Sequence, residues 1–167
     1  LPPGYAHLFV VSSEGGAARQ VTQGDHDFNA PAAWLADSRS VIVAANLDAD
    51  ADYKPLETEL YRIDIETGAT VRLTQRGGPD RAPAVSPDGR HVAYVGFADR
   101  KLGYQNSQLS VLDLASGTSR VLSATLDRSA EAPEWDGNEA IVFEYEDRGM
   151  IGALADKREI KYGDVAG

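Results

Sequence analysis

Three aspartates alternate through the segment Asn46-Leu47-Asp48-Ala49-Asp50-Ala51-Asp52, and a glutamate follows at Glu59. With Asp48 as the first ligand of a calcium loop, Asp50 and Asp52 take the third and fifth places. Glu59 then falls at the twelfth, where such a loop wants a bidentate acid. The sixth place holds Tyr53 instead of glycine, Pro55 lies inside the loop, and the flanks read as strands. These departures favour a solvated acidic loop, with calcium at Asp48, Asp50, Asp52 and Glu59 as the lesser alternative. His26 sits between Asp25 and Asp27, where a histidine can be a base, a metal ligand or a protonated surface group. The other histidines, His7 and His91, are not at metal-ligand spacing from it, which favours a surface loop.

Two arginines could meet a substrate carboxylate. Arg81 follows Gly77-Gly78-Pro79-Asp80, and Arg128 lies in Leu126-Asp127-Arg128-Ser129. A flexible turn with a solvated arginine is the plainer account of both. No serine lies in a G-x-S-x-G elbow, no cysteine exists to act as nucleophile, and neither a P-loop nor a dinucleotide fingerprint is present. The chain itself therefore carries no signal of catalysis and no cofactor beyond the calcium alternative.

The elements that must position these residues come from a pattern written three times. HLFVVSSEGGAARQVTQG begins at His7, ELYRIDIETGATVRLTQRGG at Glu59 and QLSVLDLASGTSRVLS at Gln108. Leu8, Leu60 and Leu109 correspond, a spacing of about 50 residues that marks a repeat architecture. Tyr61, Ile63 and Ile65 alternate with polar residues as in a half-buried strand. Glu66-Thr67-Gly68 is a turn, and Val71 to Thr74 returns as a second strand. Ser86-Pro87-Asp88-Gly89 is a further turn, followed by a strand from Arg90 to Gly96 with Val92 and Tyr94 on one face and Ala93 and Val95 on the other. Four short strands per unit predict an all-β chain, a partial β-propeller of about three four-stranded antiparallel blades. The repeats run over about 7–45, 59–96 and 108–146, with a partial fourth over 150–163 whose hairpin is expected to turn at Asp156-Lys157. Trp34 and Trp135 correspond and are expected in the core between blades.

The chain has 167 residues, one methionine (Met150) and a net charge of −10 from 26 acidic and 16 basic residues. Such a surface is a poor partner for nucleic acid. No run is apolar enough to span a bilayer, and no signal peptide is visible. The absence of cysteine suits cytoplasm or periplasm equally. About three blades do not close a ring, which takes four to eight. The expectation is a piece of a longer protein or an arc of an oligomeric ring. Its open blade faces predict self-association, and a monodisperse monomer counts against that.

The string Pro83 to Val92 (PAVSPDGRHV) resembles the propeller repeat shared by TolB-type proteins and the prolyl oligopeptidase family. The longer stretch from Leu8 to Arg148 is similar to the N-terminal propeller of acylaminoacyl-peptidase-like members of that family. The first copy has Leu35-Ala36-Asp37-Ser38 in place of Ser-Pro-Asp-Gly, and the third shortens the turn to Asp136-Gly137-Asn138. The resemblance implies a serine peptidase whose propeller admits short or N-blocked peptides to a separate α/β-hydrolase domain. It implies peptide substrate, further blades and that hydrolase domain as partners. It carries no triad residue onto this chain, which is expected to be inactive by itself. The alternative it leaves open is a TolB-like propeller that binds a protein partner.

Overall fold

The structure, a computed structural model, describes residues 4–145 and the backbone of 156–161. Among the described residues, apolar residues and punctuating turns produce thirteen strands: β1 Phe9–Val10, β2 Arg19–Gln20, β3 Phe28–Trp34, β4 Ser40–Ala45, β5 Glu59–Asp64, β6 Thr70–Arg72, β7 Asp80–Val85, β8 His91–Gly96, β9 Gln108–Asp113, β10 Ser119–Val121, β11 Ala130–Asp136, β12 Ala140–Tyr145 and β13 Asp156–Lys161. A short 3-10 turn, Ala51–Tyr53, lies in the acidic loop. The strands form antiparallel sheets in the orders β1-β2, β3-β4-β5-β6, β7-β8-β9-β10 and β11-β12-β13. The all-β, four-stranded blade organisation read from the repeats is therefore present. Each blade takes its first two strands from the end of one sequence repeat and its last two from the start of the next.

The turns explain the repeating signature. Asp64 accepts the N–H groups of Glu66 and Thr67 and the Thr67 hydroxyl, and Asp113 does the same with Ala115 and Ser116. These bonds, that from the Thr67 or Ser116 backbone foremost, hold both carboxyls below the usual aspartate range. On the other turn Asp37 and Asp88 accept the N–H groups of Arg39 and Arg90. One residue of that turn has positive φ in every copy: Ser38 at 53°, Gly89 at 71° and, in the shortened third turn, Gly137 at 63°. Serine is strained there, so Ser38→Gly is expected to stabilise the fold by about 1 kcal/mol. A urea midpoint at or below that of the parent chain contradicts this.

Strands β4 and β8 are buried on both faces because blades pack against both sides of each. Val41, Val43 and Ala45 join Val21, Phe28, Tyr61 and Ile63 under the β1-β2 hairpin, while Ile42 and Ala44 join Leu60, Val92, Tyr94 and Leu112 between the first two full blades. Ala93 and Val95 point the other way, into a cluster with Leu109, Val111, Ile141 and Phe143. The alternation read for Val92 to Val95 is thus realised.

Two expectations need correction. Asp156 and Lys157 do not turn a hairpin; they open β13, paired with Tyr145 and Glu144 of β12. The rest of the expected fourth hairpin lies outside the described residues. Trp135 does pack between blades, donating from Nε1 to the Ala84 carbonyl at 2.9 Å, but Trp34 is 51% exposed. The physical reason is position: among the described residues, the side that Trp34 faces is covered by the two-stranded β1-β2 hairpin.

Candidate functional site

The first strands of successive blades contact one another, β3 with β7 and β7 with β11, so they line the axis of the arc. Each carries a bulge near its proline, between Asn29 and Ala33, Arg81 and Ala84, and Glu131 and Glu134. Proline has no N–H for the ladder, and the chain slips past it. Ala82 and Ala132, just before Pro83 and Pro133, adopt φ of 51° and 45°. Immediately ahead of each bulge stand three corresponding residues: Asn29, Arg81 and Glu131. The arc thus presents a neutral amide, a cation and an anion at one level of its inner surface.

Arg81 is the central member. Its guanidinium donates to Ser107 Oγ at 3.0 Å and lies 3.8 Å from Glu131 Oε1. Side-chain exposures of 47% and 61% for Arg81 and Glu131 leave both charges open to a ligand. Beside them a cleft of about 370 Å³ is walled by Pro31, Pro55, Leu56, Pro79, Arg81 and Phe97. Its apolar walls with one cationic corner suit an extended peptide ending in a carboxylate. The acidic loop contributes Pro55 and Leu56, so it shapes the cleft with its proline end.

The other residues singled out in sequence fall elsewhere. Asp48 and Glu59 converge, but on a cation: they lie 3.5 and 3.1 Å from the two Arg72 nitrogens. Asp50 pairs with Lys54 at 2.9 Å, and that hydrogen bond holds the Asp50 carboxyl below its ordinary value. Asp52 and half-buried His26 line a smaller cleft that adjoins the first and shares Asn29, Pro55 and Thr58 with it. Among the described residues no group of three or more His, Cys, Asp or Glu side chains is gathered to hold a metal ion. Arg128 folds back on its own loop, donating to the Asp127 carbonyl at 2.5 Å.

Sequence reasoning passed over the most unusual group nearby. Asp80 opens β7 fully buried, paired with Arg76, which also lies 5.5 Å from the Tyr94 ring centroid. The corresponding residues in the neighbouring blades are Phe28 and Ala130, both buried and apolar. Burial pushes the Asp80 carboxyl up to about 6, against the pull of Arg76. The mismatch of an acid aligned with phenylalanine and alanine is the signal that could have found it.

The family model of the dipeptidyl peptidase IV N-terminal region matches residues 2–96, more than half of the chain. The chain belongs to that family. Comparison with curated protein sequences finds no match. Among solved structures it is similar to a TolB protein from Agrobacterium tumefaciens, at 18% identity and TM-score 0.71, covering 96% of this chain and 55% of that one. It is also similar to puromycin hydrolase (20% identity, TM-score 0.64, 92% of this chain and 22% of that one). An acylaminoacyl peptidase in complex with a peptide chloromethyl ketone matches at 16% identity and TM-score 0.53, over 77% of this chain and 19% of that one. The chain thus spans about half or less of the length of these structures. As in that N-terminal region family, the blades are those of a β-propeller, shared by peptidases and TolB-type proteins alike.

Proposed function

We propose that this chain is an arc of the gating propeller of a prolyl-oligopeptidase-type serine peptidase, admitting short or N-blocked peptides to a hydrolase domain. The match of residues 2–96 to the dipeptidyl peptidase IV N-terminal region carries this reading. The inner cleft supports it chemically. Asn29, Arg81 and Glu131 can engage peptide amides and termini, and the proline-rich wall offers apolar contact without mobile side chains. Arg81 orients the C-terminal carboxylate of an incoming peptide; Arg128, bound to its own loop, is left a secondary role at the rim. The acyl-transfer chemistry belongs to a serine, histidine and acid outside this chain.

In the peptidase that contains this arc, Arg81→Ala is expected to raise KM about 10-fold for peptides with a free C-terminal carboxylate. Substrates ending in an amide should keep their KM, and kcat should be unchanged for both. Equal effects on acid and amide substrates overturn the assigned role of Arg81. The chain by itself is expected to hydrolyse no aminoacyl nitroanilide.

A TolB-like binding propeller is the second reading, and the fold shared with the Agrobacterium protein suits it equally. It predicts that the same inner face binds a protein partner tightly in the absence of any hydrolase domain.

A further inference from the structure

Phe97 walls two clefts. One is the cleft at Arg81; the other, also about 370 Å³, is formed between the loop that follows β8 and the loop that follows β10. The two meet at a second point. Arg81 donates to Ser107 Oγ, and Asn106, the preceding residue, lines the second cleft. Leu102 and Tyr104 stand on the first loop, 61% and 60% exposed. Leu126, on the second loop, packs against the core and anchors that wall.

Both walls are held by their own hydrogen bonds. The Gln105 side chain donates to the Ala98 carbonyl at 2.7 Å and accepts the Arg100 N–H at 2.8 Å, so a side-chain amide closes the first loop. The Asp99 N–H donates to the Gly77 carbonyl at 2.9 Å, which ties the start of that loop to the connection leading into Pro79 and Arg81. The Asn106 amide reaches Asp127 Oδ1 at 3.4 Å, and the Ser107 N–H donates to Ser129 Oγ at 3.2 Å. These two bonds join the walls. Large apolar side chains on a loop fixed in this way lose little freedom when a ligand covers them, which favours binding. The remaining lining suits a peptide. Gln108 and Thr125 offer amide and hydroxyl groups that pair with peptide N–H and C=O groups. Arg100 and Asp127 are of opposite sign, so the cleft is built for neither a polyanion nor a polycation.

We propose that this second cleft holds the residues upstream of the C-terminus of the peptide seated on Arg81. The preferred ligand is then an oligopeptide longer than a dipeptide. Its carboxylate lies on Arg81, its backbone crosses Phe97, and a large apolar side chain covers Leu102 and Tyr104. The inference rests on the peptide reading of the Arg81 cleft and adds to it a length and a side-chain preference. A dipeptide reaches the first cleft alone.

Calorimetry on the full protein whose reading frame contains this chain, treated with a serine-phosphonylating reagent to prevent cleavage, compares acetyl-Ala-Ala with acetyl-Phe-Ala-Ala-Ala, both as free acids. The longer peptide is expected to bind about 10-fold more tightly. Leu102→Ser combined with Tyr104→Ser is expected to abolish that gain and to leave the Kd of the shorter peptide unchanged, which also reports that the variant is folded. Arg81→Ala should weaken both peptides alike. Equal affinity of the two peptides in the parent protein, or a gain that survives the double variant, overturns this inference and leaves the Arg81 assignment standing. Loss of both peptides in the double variant overturns it too, because the two clefts then do not act separately. Failure of both peptides to bind the parent protein overturns the peptide reading itself, and this inference with it.

Discussion

Glu59→Ala is expected to lower the stability of the folded chain by about 2–4 kcal/mol, the largest effect of any single polar substitution described. Glu59 is fully buried at the start of β5. It accepts the Thr74 hydroxyl at 2.5 Å, Arg72 at 3.1 Å and the Gly77 N–H at 3.4 Å. Together these tie the connection between the first and second full blades to the strand beneath it. Alanine leaves the Gly77 N–H and the Thr74 hydroxyl without their acceptor and opens a cavity. Arg72, 38% exposed, recovers much of its solvation, which keeps the loss below that of a wholly buried pair. The neighbouring copies have His7 and Gln108 at this place, so the position needs an acceptor of suitable size more than a charge. Glu59→Gln should cost about half as much. The comparison is read from urea midpoints at constant m. A loss below about 0.5 kcal/mol for Glu59→Ala removes the network from the account.

Asp80→Asn is expected to stabilise the chain at pH 7 to 8 by up to about 3 kcal/mol. The sign follows from the raised pKa. A carboxyl that titrates at about 6 in the folded chain, against 3.8 for an unperturbed aspartate, holds its proton in the folded state over that interval. Folding then binds protons, so stability falls as pH rises from about 4 to about 6 and stays low above it. Glu59 adds to this by repulsion, Arg76 opposes it, and burial is the largest cause. Asparagine removes the cost of burying the charge while its carbonyl still accepts from Arg76. The aspartates of the turns act in a different window. Asp37, Asp64, Asp88 and Asp113 are all lowered, and their contribution is lost only as pH falls below about 4. Chemical denaturation at pH 4.5 and pH 7.5 separates the two. A variant whose stability has the same pH slope as the parent chain over that interval contradicts the assignment to Asp80.

The strands, their turns and the inward faces of β8 were legible in the sequence because each rests on local chemistry. Alternation decides which side chains are buried, and Asp64-Glu66-Thr67-Gly68 closes its own turn through neighbouring N–H groups. The phase of the blades was not legible. A repeat has no intrinsic starting point, and the pairing of β4 with β5 spans the acidic loop between Asn46 and Thr58. Arg81 could be picked out as a candidate, but its contact Glu131 is separated from it by a whole repeat and emerges only when blades pack. Trp34 was misjudged because its burial depends on which blade stands beside it, a property of neighbours and not of the residue. Asp48, Asp50, Asp52 and Glu59 have calcium-like spacing along the chain. Folding sets Asp48 and Glu59 on Arg72 and Asp50 on Lys54, while Asp52 lines a cleft with His26.

The most direct test is hydrolysis of a blocked dipeptide nitroanilide by the full protein whose reading frame contains residues 1–167, with and without an active-site phosphonylating reagent. Turnover is expected, and it is abolished when one serine outside this chain is labelled. A full-length protein that neither hydrolyses the peptide nor takes up the label, yet holds a protein partner through the inner face, contradicts the peptidase reading and leaves a binding propeller.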